Sequence, residues 1–523
     1  MWRVKTASAE LTGHNLGVAV ERDPGAAAPQ TRFLLDTNAF IALEPYAGQI
    51  EPGLGPAATF MRLALKQGGR IFVHPATRDE LAESTDHVRV KQRIAELAKF
   101  EMLDEAPVAV QLRAAIGPVV AGSNNDRDLR ILAALYANAV NFLVTNDDGL
   151  RRRARRVDLG DRVLTLADAA AMLEGFEPRV ATPPPRVLKL KSYALDFDQE
   201  IFESIRNEYD FDAWVAKVQG DSDNRECFVV QEPDGTYAGI AIVKINEPDC
   251  EYAFTGPVTK ISTFKVEQDF SGNRYGELLL KAVLQSHRDH RVNSAYVEVF
   301  PRHQRLVDLL GTFGYVDGGK SAKGEIVLVK TYHPHNDSLS PLDFHIAYGP
   351  PAVSKYAKVF VIPIIQRWHD QLFPECVPED DQLTLPGFRV STRPWGNALR
   401  KAYLCNAATR QLEPGDAILF YRSGLQIVSV IGVVEHSERT CSSDVAFNLV
   451  AGRTVYTDSD IRELASHQAG VLVTLFRRDR LVDPPWSLAE LEANNVLKAP
   501  PQTVTLVKEA GTQWIHQRLA DMS

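Results

Sequence analysis

The chain has 523 residues, of which 45% are hydrophobic and 24% charged, the ordinary balance of a soluble globular protein. Because domains usually contain about 100–200 residues, this length is too great for one core, and we expect three domains. Lys and Arg total 58 against 67 Asp and Glu, a net charge of −9. This balance excludes a uniformly basic nucleic-acid-binding surface but not a local basic groove.

Cysteine usage and hydropathy limit the class of protein further. None of the five cysteines has a CxxC or Cys/His spacing typical of a zinc site, so we predict reduced thiols. The first residues lack a basic segment followed by a long apolar run, and no apolar run reaches about 18 residues. The sequence therefore predicts a soluble, cytoplasmic protein with no signal peptide, membrane span or membrane partner.

Two loop-like stretches divide the chain. ATPPPRVLKLK, from Ala181 to Lys191, contains three consecutive prolines, which cannot continue a helix or a central strand and which stiffen a spacer. HPHNDSLSP, from His333 to Pro341, is the second stretch. We therefore predict four segments: an N-terminal domain (1–180), a proline-rich linker (181–191), a middle domain (192–336) and a C-terminal domain (337–523).

Short apolar strands alternate with helical patterns in the first third of the chain. FLLD (Phe33 to Asp36) and IFVHP (Ile71 to Pro75) are typical of buried strands. LRILAALYANA (Leu129 to Ala139) has a helical period, and NFLVTND (Asn141 to Asp147) is a further strand. Such alternation favours a parallel sheet with crossover helices.

Acidic residues stand where these strands end and helices begin. Asp36 closes the first strand, Asp147 closes NFLVTND, Asp128 opens the helix between them, and Glu80 follows IFVHP in RDELAE. Ligands gather at the carboxyl ends of parallel strands, and four carboxylates there repel one another unless cations neutralise them. Oxygen ligands suit Mg²⁺ or Mn²⁺, and the chemistry such a site favours is metal-assisted hydrolysis of a phosphodiester. The alternative is structural, with Asp36 and Asp128 as helix caps and Asp147 in a turn.

LLDTNAFIAL, the isolated Glu80 and DLRILAALYANAVNFLVTNDDGL together resemble the PIN-domain family over roughly residues 30–170. The resemblance implies a metal-dependent ribonuclease acting on single strands, as in toxin-type members, with RNA and an antitoxin-like protein as partners. It implies metal-binding and catalytic acids at Asp36, Glu80, Asp128 and Asp147, with Asp126 as a rival for the third. The accessory acid and the supporting polar residues that it implies are Asp148, Thr37, Asn38, Thr145 and Asn146.

Five arginines follow in RRRARR, from Arg151 to Arg156. On a helix beside the acids they could hold phosphates, or they could form a solvated face or bind an acidic partner. A helix turns about 100° per residue, which places Arg152, Arg155 and Arg156 on one face with Arg151 at its border. The same period predicts that Arg153 points elsewhere.

The middle segment ISTFKVEQDFSGNRYGELLLKAVLQ predicts a strand, a Gly-containing turn and an amphipathic helix, whose N-terminus is a ready site for a pyrophosphate. With the following SAYVEVF, HQRLVDLLGTFGYVD and EIVLVK it resembles a GNAT acetyltransferase over roughly residues 190–333. The resemblance implies a mixed α/β fold and acetyl-CoA binding. The contacts that it implies are the backbone of Phe264 and Val266 and the turn Ser271, Gly272, Asn273, Arg274, Tyr275 and Gly276.

Two residues depart from the GNAT pattern. Arg274 stands where the motif usually has its middle glycine, and Leu310 stands where a tyrosine general acid often lies. Glu298 is a candidate base, or a strand carboxylate that faces water. A domain that keeps the fold and has lost the reaction is therefore the alternative.

The last third contains the strands DAILFYRS and QIVSVIGVVEHS and is similar to PUA-like β-barrels of the ASCH and EVE types, roughly over residues 356–510. The ASCH signature GxKxxExR is absent. The resemblance implies an RNA-binding cleft, since aromatic side chains stack on bases and Arg reaches phosphate. The residues that we place near it are Trp395, Asn397, Arg400, Tyr421, Arg422 and Ser423.

Three hypotheses of function follow. The first is a toxin-like or stress-response endoribonuclease, acting on tRNA or mRNA, that carries acetyl-CoA-binding and RNA-binding domains and can form a homo-oligomer. The second is a GNAT acetyltransferase acting on tRNA or protein, with the N-terminal domain binding nucleic acid. The third is a non-catalytic regulator that senses acetyl-CoA and recruits RNA.

Overall fold

The computed structural model describes residues 31–43, 54–175, 185–334, 336 and 338–522, apart from 209, 248–249, 378–389, 392–393, 410 and 451. Residues 31–523 form one compact unit. The first four residues of the predicted linker lie outside the described residues, while its later part forms a strand. None of the helices in the described part of the chain is long and apolar enough to cross a bilayer.

The described residues of the N-terminal region (31–175) form a five-stranded parallel sheet of order β3-β2-β1-β4-β5 with eight α-helices. Its strands are β1 (Arg32–Leu35), β2 (Arg70–Val73), β3 (Glu101–Met102), β4 (Phe142–Val144) and β5 (Val163–Leu164). Its helices are α1 (Thr37–Leu43), α2 (Leu54–Lys66), α3 (Pro75–Ala82), α4 (His87–Leu97), α5 (Val110–Ile116), α6 (Asn124–Tyr136), α7 (Asp148–Arg155) and α8 (Leu166–Glu174). The predicted parallel α/β architecture is confirmed.

Side-chain caps explain where three of these helices begin. Ser123 accepts a hydrogen bond from Asp126 N at the start of α6, and Asp147 accepts one from Leu150 N at the start of α7. Thr165 and Asp168 form a reciprocal capping box at α8. Each cap satisfies N–H groups that the first helical turn leaves unpaired.

The middle region (185–334) is a seven-stranded sheet of order β11-β12-β10-β9-β8-β7-β6, in which only β9 and β10 pair in parallel. Its strands are β6 (Arg186–Leu190), β7 (Arg225–Gln231), β8 (Tyr237–Lys244), β9 (Val258–Val266), β10 (Ser294–Val299), β11 (Val316–Lys320) and β12 (Ile326–Thr331). Its helices are α9 (Glu203–Glu208), α10 (Phe211–Gly220), α11 (Tyr275–Asp289) and α12 (Gln304–Thr312). The strand β6 lies within the predicted linker, which is therefore partly structured.

The C-terminal region (338–522) contains a six-stranded mixed sheet of order β14-β17-β16-β15-β13-β18. Its strands are β13 (Val359–Ile364), β14 (Arg400–Cys405), β15 (Ala417–Arg422), β16 (Ile427–Thr440), β17 (Val471–Ser487) and β18 (Thr505–Leu506). Its helices are α13 (Pro341–Tyr348), α14 (Gln366–Leu372), α15 (Pro394–Asn397), α16 (Ser443–Val450), α17 (Asp458–Ser466), α18 (Leu488–Ala493) and α19 (Glu509–Asp521). The predicted strand-rich character is confirmed.

Buried ion pairs connect the regions. Glu435 accepts hydrogen bonds from Arg400 and Arg453, and both arginines also pair with Asp161 of the N-terminal region. Burial raises the pKa of Glu435, but the surrounding arginines outweigh it and hold that pKa well below its ordinary value. Losing one partner would leave a charge buried without compensation, so this junction is costly to open.

Candidate functional site

Asp36 lies at the carboxyl edge of the parallel sheet, directly after β1. The residue is 6% exposed, and its carboxylate accepts hydrogen bonds of 2.8 Å from both Asn38 Nδ2 and Thr145 Oγ1. Burial raises the pKa of Asp36 to about 7, the charges of Asp128 and Glu80 raise it further, and the hydrogen bond from Thr145 opposes the shift. The predicted acids are therefore close enough to influence one another electrostatically.

Glu80 and Asp128 reach the same edge from α3 and α6. Glu80 accepts a 2.5 Å hydrogen bond from Thr37 Oγ1, and Asp128 pairs with Arg153 at 2.5 Å. Burial raises the pKa of Asp128 to about 6, Arg153 opposes the shift, and the charges of Asp147 and Glu80 add to it. A cavity of about 200 Å³ opens beside Glu80.

Asp147 and Asp148 have structural partners. Asp147 caps α7 through a 2.8 Å hydrogen bond from Leu150 N. Asp148 lies 3.2 Å from Arg151 and 3.4 Å from Arg305 of the middle region.

The supporting polar residues and the rival acid can also be placed. Asn146 N donates to Asn38 Oδ1 at 2.8 Å, so the predicted supports Asn38, Thr145 and Asn146 do surround Asp36. The Asp126 carboxylate accepts a 3.1 Å hydrogen bond from Gly122 N and so stabilises the loop that precedes it.

These acids do not assemble a metal site in the arrangement described. Within the described residues there is no group of three or more His, Cys, Asp or Glu side chains that could hold a metal ion. The physical reason is that Asp128 is neutralised by Arg153, Asp147 is used as a cap, and Glu80 is hydrogen bonded to Thr37. The expected Mg²⁺ or Mn²⁺ set of Asp36, Glu80, Asp128, Asp147 and Asp148 therefore does not fit a divalent cation as it stands.

The five arginines from Arg151 to Arg156, on α7 and its C-cap, lie in four environments. Arg153, expected to point away from the acids, pairs with Asp128, and Arg155 pairs with Asp308 of α12 at 2.6 Å. Arg151 is mostly covered, with 17% of its side chain exposed. Arg152 and Arg156 are exposed. Of the three arginines predicted to share a face, Arg152 and Arg156 are exposed, and Arg155 is exposed but paired with Asp308.

The second candidate site is the loop between β9 and α11. Arg274 precedes α11 with φ 60° and provides no side-chain cap, and Gly272 has φ 92°. Arg274 stands where the GNAT motif usually has its middle glycine. Its left-handed backbone explains the preference for glycine there, because glycine adopts a positive φ without steric cost. In the described part of the chain, the backbone N–H groups of Gly272, Asn273 and Gly276 have no acceptor. Such groups at a helix N-terminus fit a phosphate or diphosphate.

The N-terminal and C-terminal regions both contact the loop between β9 and α11. A Cβ on Gly272 would lie 2.5 Å from Ala167 O of α8, and Asn397 Nδ2 donates to Asn273 O at 3.1 Å. The Arg274 guanidinium lies 3.8 Å from the ring centroid of Trp395 and 3.8 Å from Asp168. Arg274 Nε is buried without a hydrogen-bond partner in the described residues, a donor that an anion could satisfy.

A wedge opens between β9 and β10 beside this loop. The two strands pair only from Val258–Ser294 to Lys260–Tyr296, and β9 then continues to Val266 along β8. Phe264 and Val266 thus lie on the part of β9 that has left β10.

Glu298 and Leu310 define what the wedge can do chemically. Glu298 accepts hydrogen bonds from Lys260 Nζ at 2.6 Å and from Tyr252 at 2.7 Å. Burial raises the pKa of Glu298, but these hydrogen bonds outweigh it, so the carboxylate stays charged and is a poor base. Leu310 is fully buried in the core and offers no proton.

The residues that the sequence places near one RNA-binding cleft of the C-terminal region lie in different surroundings. Trp395 and Asn397 face the Ser271–Gly276 loop, and Arg400 is held by Glu435 and Asp161. Tyr421 is fully buried, and Arg422, which directly precedes Ser423, pairs with Asp370 at 3.3 Å. The single cleft is therefore not formed by this set.

The sequence did not reveal the contacts of Ala167, Asp168 and Asp308. Each of these residues contacts a residue of a different region, and local sequence patterns do not show such contacts. Asp168 had the signal of a capping residue in TLAD, which does not reveal its proximity to Arg274.

Of the two candidate sites, the second lies within a match to a known protein family. Residues 191–315 match the acetyltransferase (GNAT) family. No curated protein matches the chain. Similar solved structures include an ASCH protein from Zymomonas mobilis, at TM-score 0.23 and 12% identity, covering 31% of this chain and 94% of that one.

Two acetyltransferase structures are also similar. The PaiA N-acetyltransferase of Thermoplasma acidophilum, in complex with coenzyme A, has TM-score 0.23 and 11% identity, covering 28% of this chain and 99% of that one. A GNAT-family acetyltransferase of Desulfovibrio desulfuricans has TM-score 0.22 and 15% identity, covering 28% and 98%. From the family match, residues 191–315 are a GNAT acetyltransferase domain.

Proposed function

We propose that the middle region binds acetyl-CoA at the Ser271–Gly276 loop and transfers the acetyl group to an amine. The observation that carries the proposal concerns the start of the 15-residue helix α11. There, the backbone N–H groups of Gly272, Asn273 and Gly276 have no hydrogen-bond acceptor in the described residues. A helix N-terminus favours negative charge, and Arg274 Nε adds an unpaired donor. The family match to residues 191–315 supports the same activity.

The residues of the wedge would position the reactants. Bound acetyl-CoA would supply an activated thioester. The part of β9 beyond Lys260, including Phe264 and Val266, would offer main-chain hydrogen bonds to an extended group. An ammonium group has no lone pair, so the acceptor would lose one proton to water before its nitrogen attacks the thioester carbonyl, after which the bond from the carbonyl carbon to sulfur would break. Because Glu298 is already paired with Lys260 and Leu310 is apolar, the leaving thiolate would take the second amine proton directly or through water.

Calorimetry with acetyl-CoA tests this proposal. We expect saturable heat and a rise in melting temperature at millimolar ligand, since a ligand that binds only the folded state stabilises it by mass action. Labelled acetyl groups should also pass from acetyl-CoA to a primary amine. Absence of heat and of thermal shift would show that the middle region keeps the fold as a scaffold.

Ribonucleolytic cleavage at the N-terminal region is a second candidate function. The observation that favours it is the approach of Asp36, Glu80 and Asp128 from three elements to one sheet edge, where the charges of Asp128 and Glu80 add to the burial that raises the pKa of Asp36. Because Arg153 neutralises Asp128, a divalent cation would have to compete with it. We therefore expect Arg153→Gln to raise Mn²⁺ affinity, measured by calorimetry, and Asp36→Asn to abolish any cleavage of single-stranded RNA. Cleavage by the Asp36→Asn variant at the parental rate would exclude this site.

A further inference from the structure

Lys260 stands at the point where β9 and β10 separate. It is the last residue of β9 that pairs with β10, and its partner there is Tyr296. Glu298, two residues after Tyr296, lies on the part of β10 that β9 has left. The Lys260 ammonium extends from one strand to the other and donates a 2.6 Å hydrogen bond to Glu298 Oε2. A primary amine of the chain itself therefore lies at the closed end of the wedge.

The side chains around this amine form a site for an ammonium group. Lys260 Nζ lies 5.3 Å from the centroid of the Tyr296 ring, within the range of cation–π attraction. Tyr252 Oη donates a 2.7 Å hydrogen bond to the other carboxylate oxygen of Glu298 and so fixes its orientation. The Tyr252 ring also packs edge-on against the Tyr296 ring, with centroids 5.2 Å apart. We call Tyr252, Tyr296 and Glu298 the ammonium pocket, because a carboxylate and an aromatic face are the partners that an alkylammonium prefers.

Two nearby lysines show what distinguishes Lys260. Lys244, opposite Lys260 on β8, pairs with Glu247 at 2.6 Å. Lys265 is on the same strand as Lys260, and each has 25% of its side chain exposed, but Lys265 Nζ donates to Ile201 O at 2.6 Å. Of these three lysines, Lys260 is the one whose ammonium reaches β10. Its amine is therefore both partly open to a ligand and held in position at the wedge.

We propose that Lys260 is itself an acetyl acceptor, so that the chain modifies its own side chain at the ammonium pocket. This inference rests on the proposed function, in which the Ser271–Gly276 loop binds the phosphates and β9 between that loop and Lys260 binds the extended part. The Lys260 ammonium loses one proton to water, and its nitrogen forms a bond to the thioester carbonyl carbon as the bond from that carbon to sulfur breaks. The second amine proton passes to the leaving thiolate, directly or through water. The amide product is uncharged, so acetylation removes the cation with which Glu298 is paired.

Mass spectrometry of peptides from the parent chain, after incubation with isotopically labelled acetyl-CoA, tests the proposal. We expect at least about tenfold more label on Lys260 than on the equally exposed Lys265, because an amine that is held beside the reacting carbon gains from proximity. Lys260→Arg keeps a cation for Glu298 but offers no primary amine, so this variant should carry one acetyl group fewer in its intact mass. Equal label on the two lysines would overturn the proposal.

Two controls show whether the transfer is catalysed and occurs within one chain. Gly276→Glu places a negative charge in the phosphate-binding loop, so it should lose the label on Lys260, whereas spontaneous acetylation would persist. At saturating acetyl-CoA, the fraction of chains labelled per unit time should stay constant when the protein is diluted, because the amine and its binding site belong to one chain. Persistent label in the variant, or a rate that falls on dilution, refutes self-acetylation.

A binding experiment without acetyl-CoA tests the ammonium pocket itself. Lys260→Ala removes the side chain beyond Cβ, and n-propylammonium matches the removed atoms in length and charge. This ligand should raise the melting temperature of Lys260→Ala by mass action, and that of the double variant Lys260→Ala/Glu298→Gln much less. Equal shifts in the two variants would mean that Glu298 does not hold the amine, and the proposal fails.

The fate of Lys260 also separates this inference from the proposed function. If the parent binds acetyl-CoA and acetylates an added amine while Lys260 stays unlabelled, self-acetylation fails and the acetyltransferase stands. If calorimetry shows that the parent binds no acetyl-CoA, the proposed function fails, and self-acetylation fails with it.

Discussion

The acid edge of the N-terminal region and the Ser271–Gly276 loop of the middle region differ in what the fold leaves unpaired. At the acid edge, Asp128 already has Arg153 and Asp147 already caps α7. At the loop, the N–H groups of Gly272, Asn273 and Gly276 have no acceptor in the described residues. A set of suitable residue types therefore becomes a ligand site only where their own neighbours do not satisfy them.

Both places also carry a cost in stability. Asp36 is a carboxyl buried where ionisation is unfavourable, and Arg274 holds a left-handed backbone at φ 60°. Costs of this kind often gather at functional sites, although they do not identify the function. Mutations at Asp36 and at the Ser271–Gly276 loop can therefore test whether the acid edge and the loop differ in this way.

The first prediction concerns acetyl-CoA affinity and places a negative charge at the start of α11, where the loop is expected to bind phosphate. Gly276→Glu places a carboxylate at the start of α11, where it favours the helix dipole and so spares the fold. A Cβ there meets the end of the Leu309 side chain at 3.3 Å, a neighbour that can move slightly. We expect acetyl-CoA affinity to fall at least tenfold, about 1.4 kcal/mol, measured by calorimetry. Gly220→Glu, in open space at the end of α10, is the control, and equal loss there would refute the anion site.

The next effect concerns the pH dependence of stability at the acid edge. Because the pKa of Asp36 is about 7 when folded against 3.8 ordinarily, the folded state binds the proton more tightly. Stability should therefore fall as pH rises from about 4 to 7 and level off above, by at most about 4 kcal/mol. Asp36→Asn should remove the part of this fall that Asp36 causes and leave the smaller fall that the raised pKa of Asp128 causes below about pH 6, both measured by urea unfolding across pH. The control is Asp126→Asn, and parallel pH profiles for parent and Asp36→Asn would contradict the prediction.

The smallest effect separates the backbone of Arg274 from its side chain. Arg274→Ala and Arg274→Gly both lose the stacking on Trp395, but only glycine relieves the left-handed backbone. The glycine variant should therefore be more stable than the alanine variant by about 1 kcal/mol. Urea midpoints of the two variants measure this difference. Equal midpoints would mean that the backbone at this position is not strained.

The sequence by itself determined the local elements and their order. The apolar segments FLLD and NFLVTND carry β1 and β4, and the turn before the ELLLKAVL helix becomes the loop before α11. These features were predictable because strand and helix periods and turn residues act over a few neighbours. The placement of Asp36 and Glu80 at one edge followed from parallel topology, which the alternation of elements indicates.

Only the tertiary structure decided which of the predicted groups remain available. Arg153 reaches Asp128, Arg155 reaches Asp308, and Gly272 packs on Ala167, all through contacts between segments far apart in sequence. No local pattern encodes such pairs, because they depend on how complete helices and sheets dock and on which charges their burial must neutralise. The sequence therefore determined the kinds of chemistry present, and docking of the regions determined which groups stay free for a ligand.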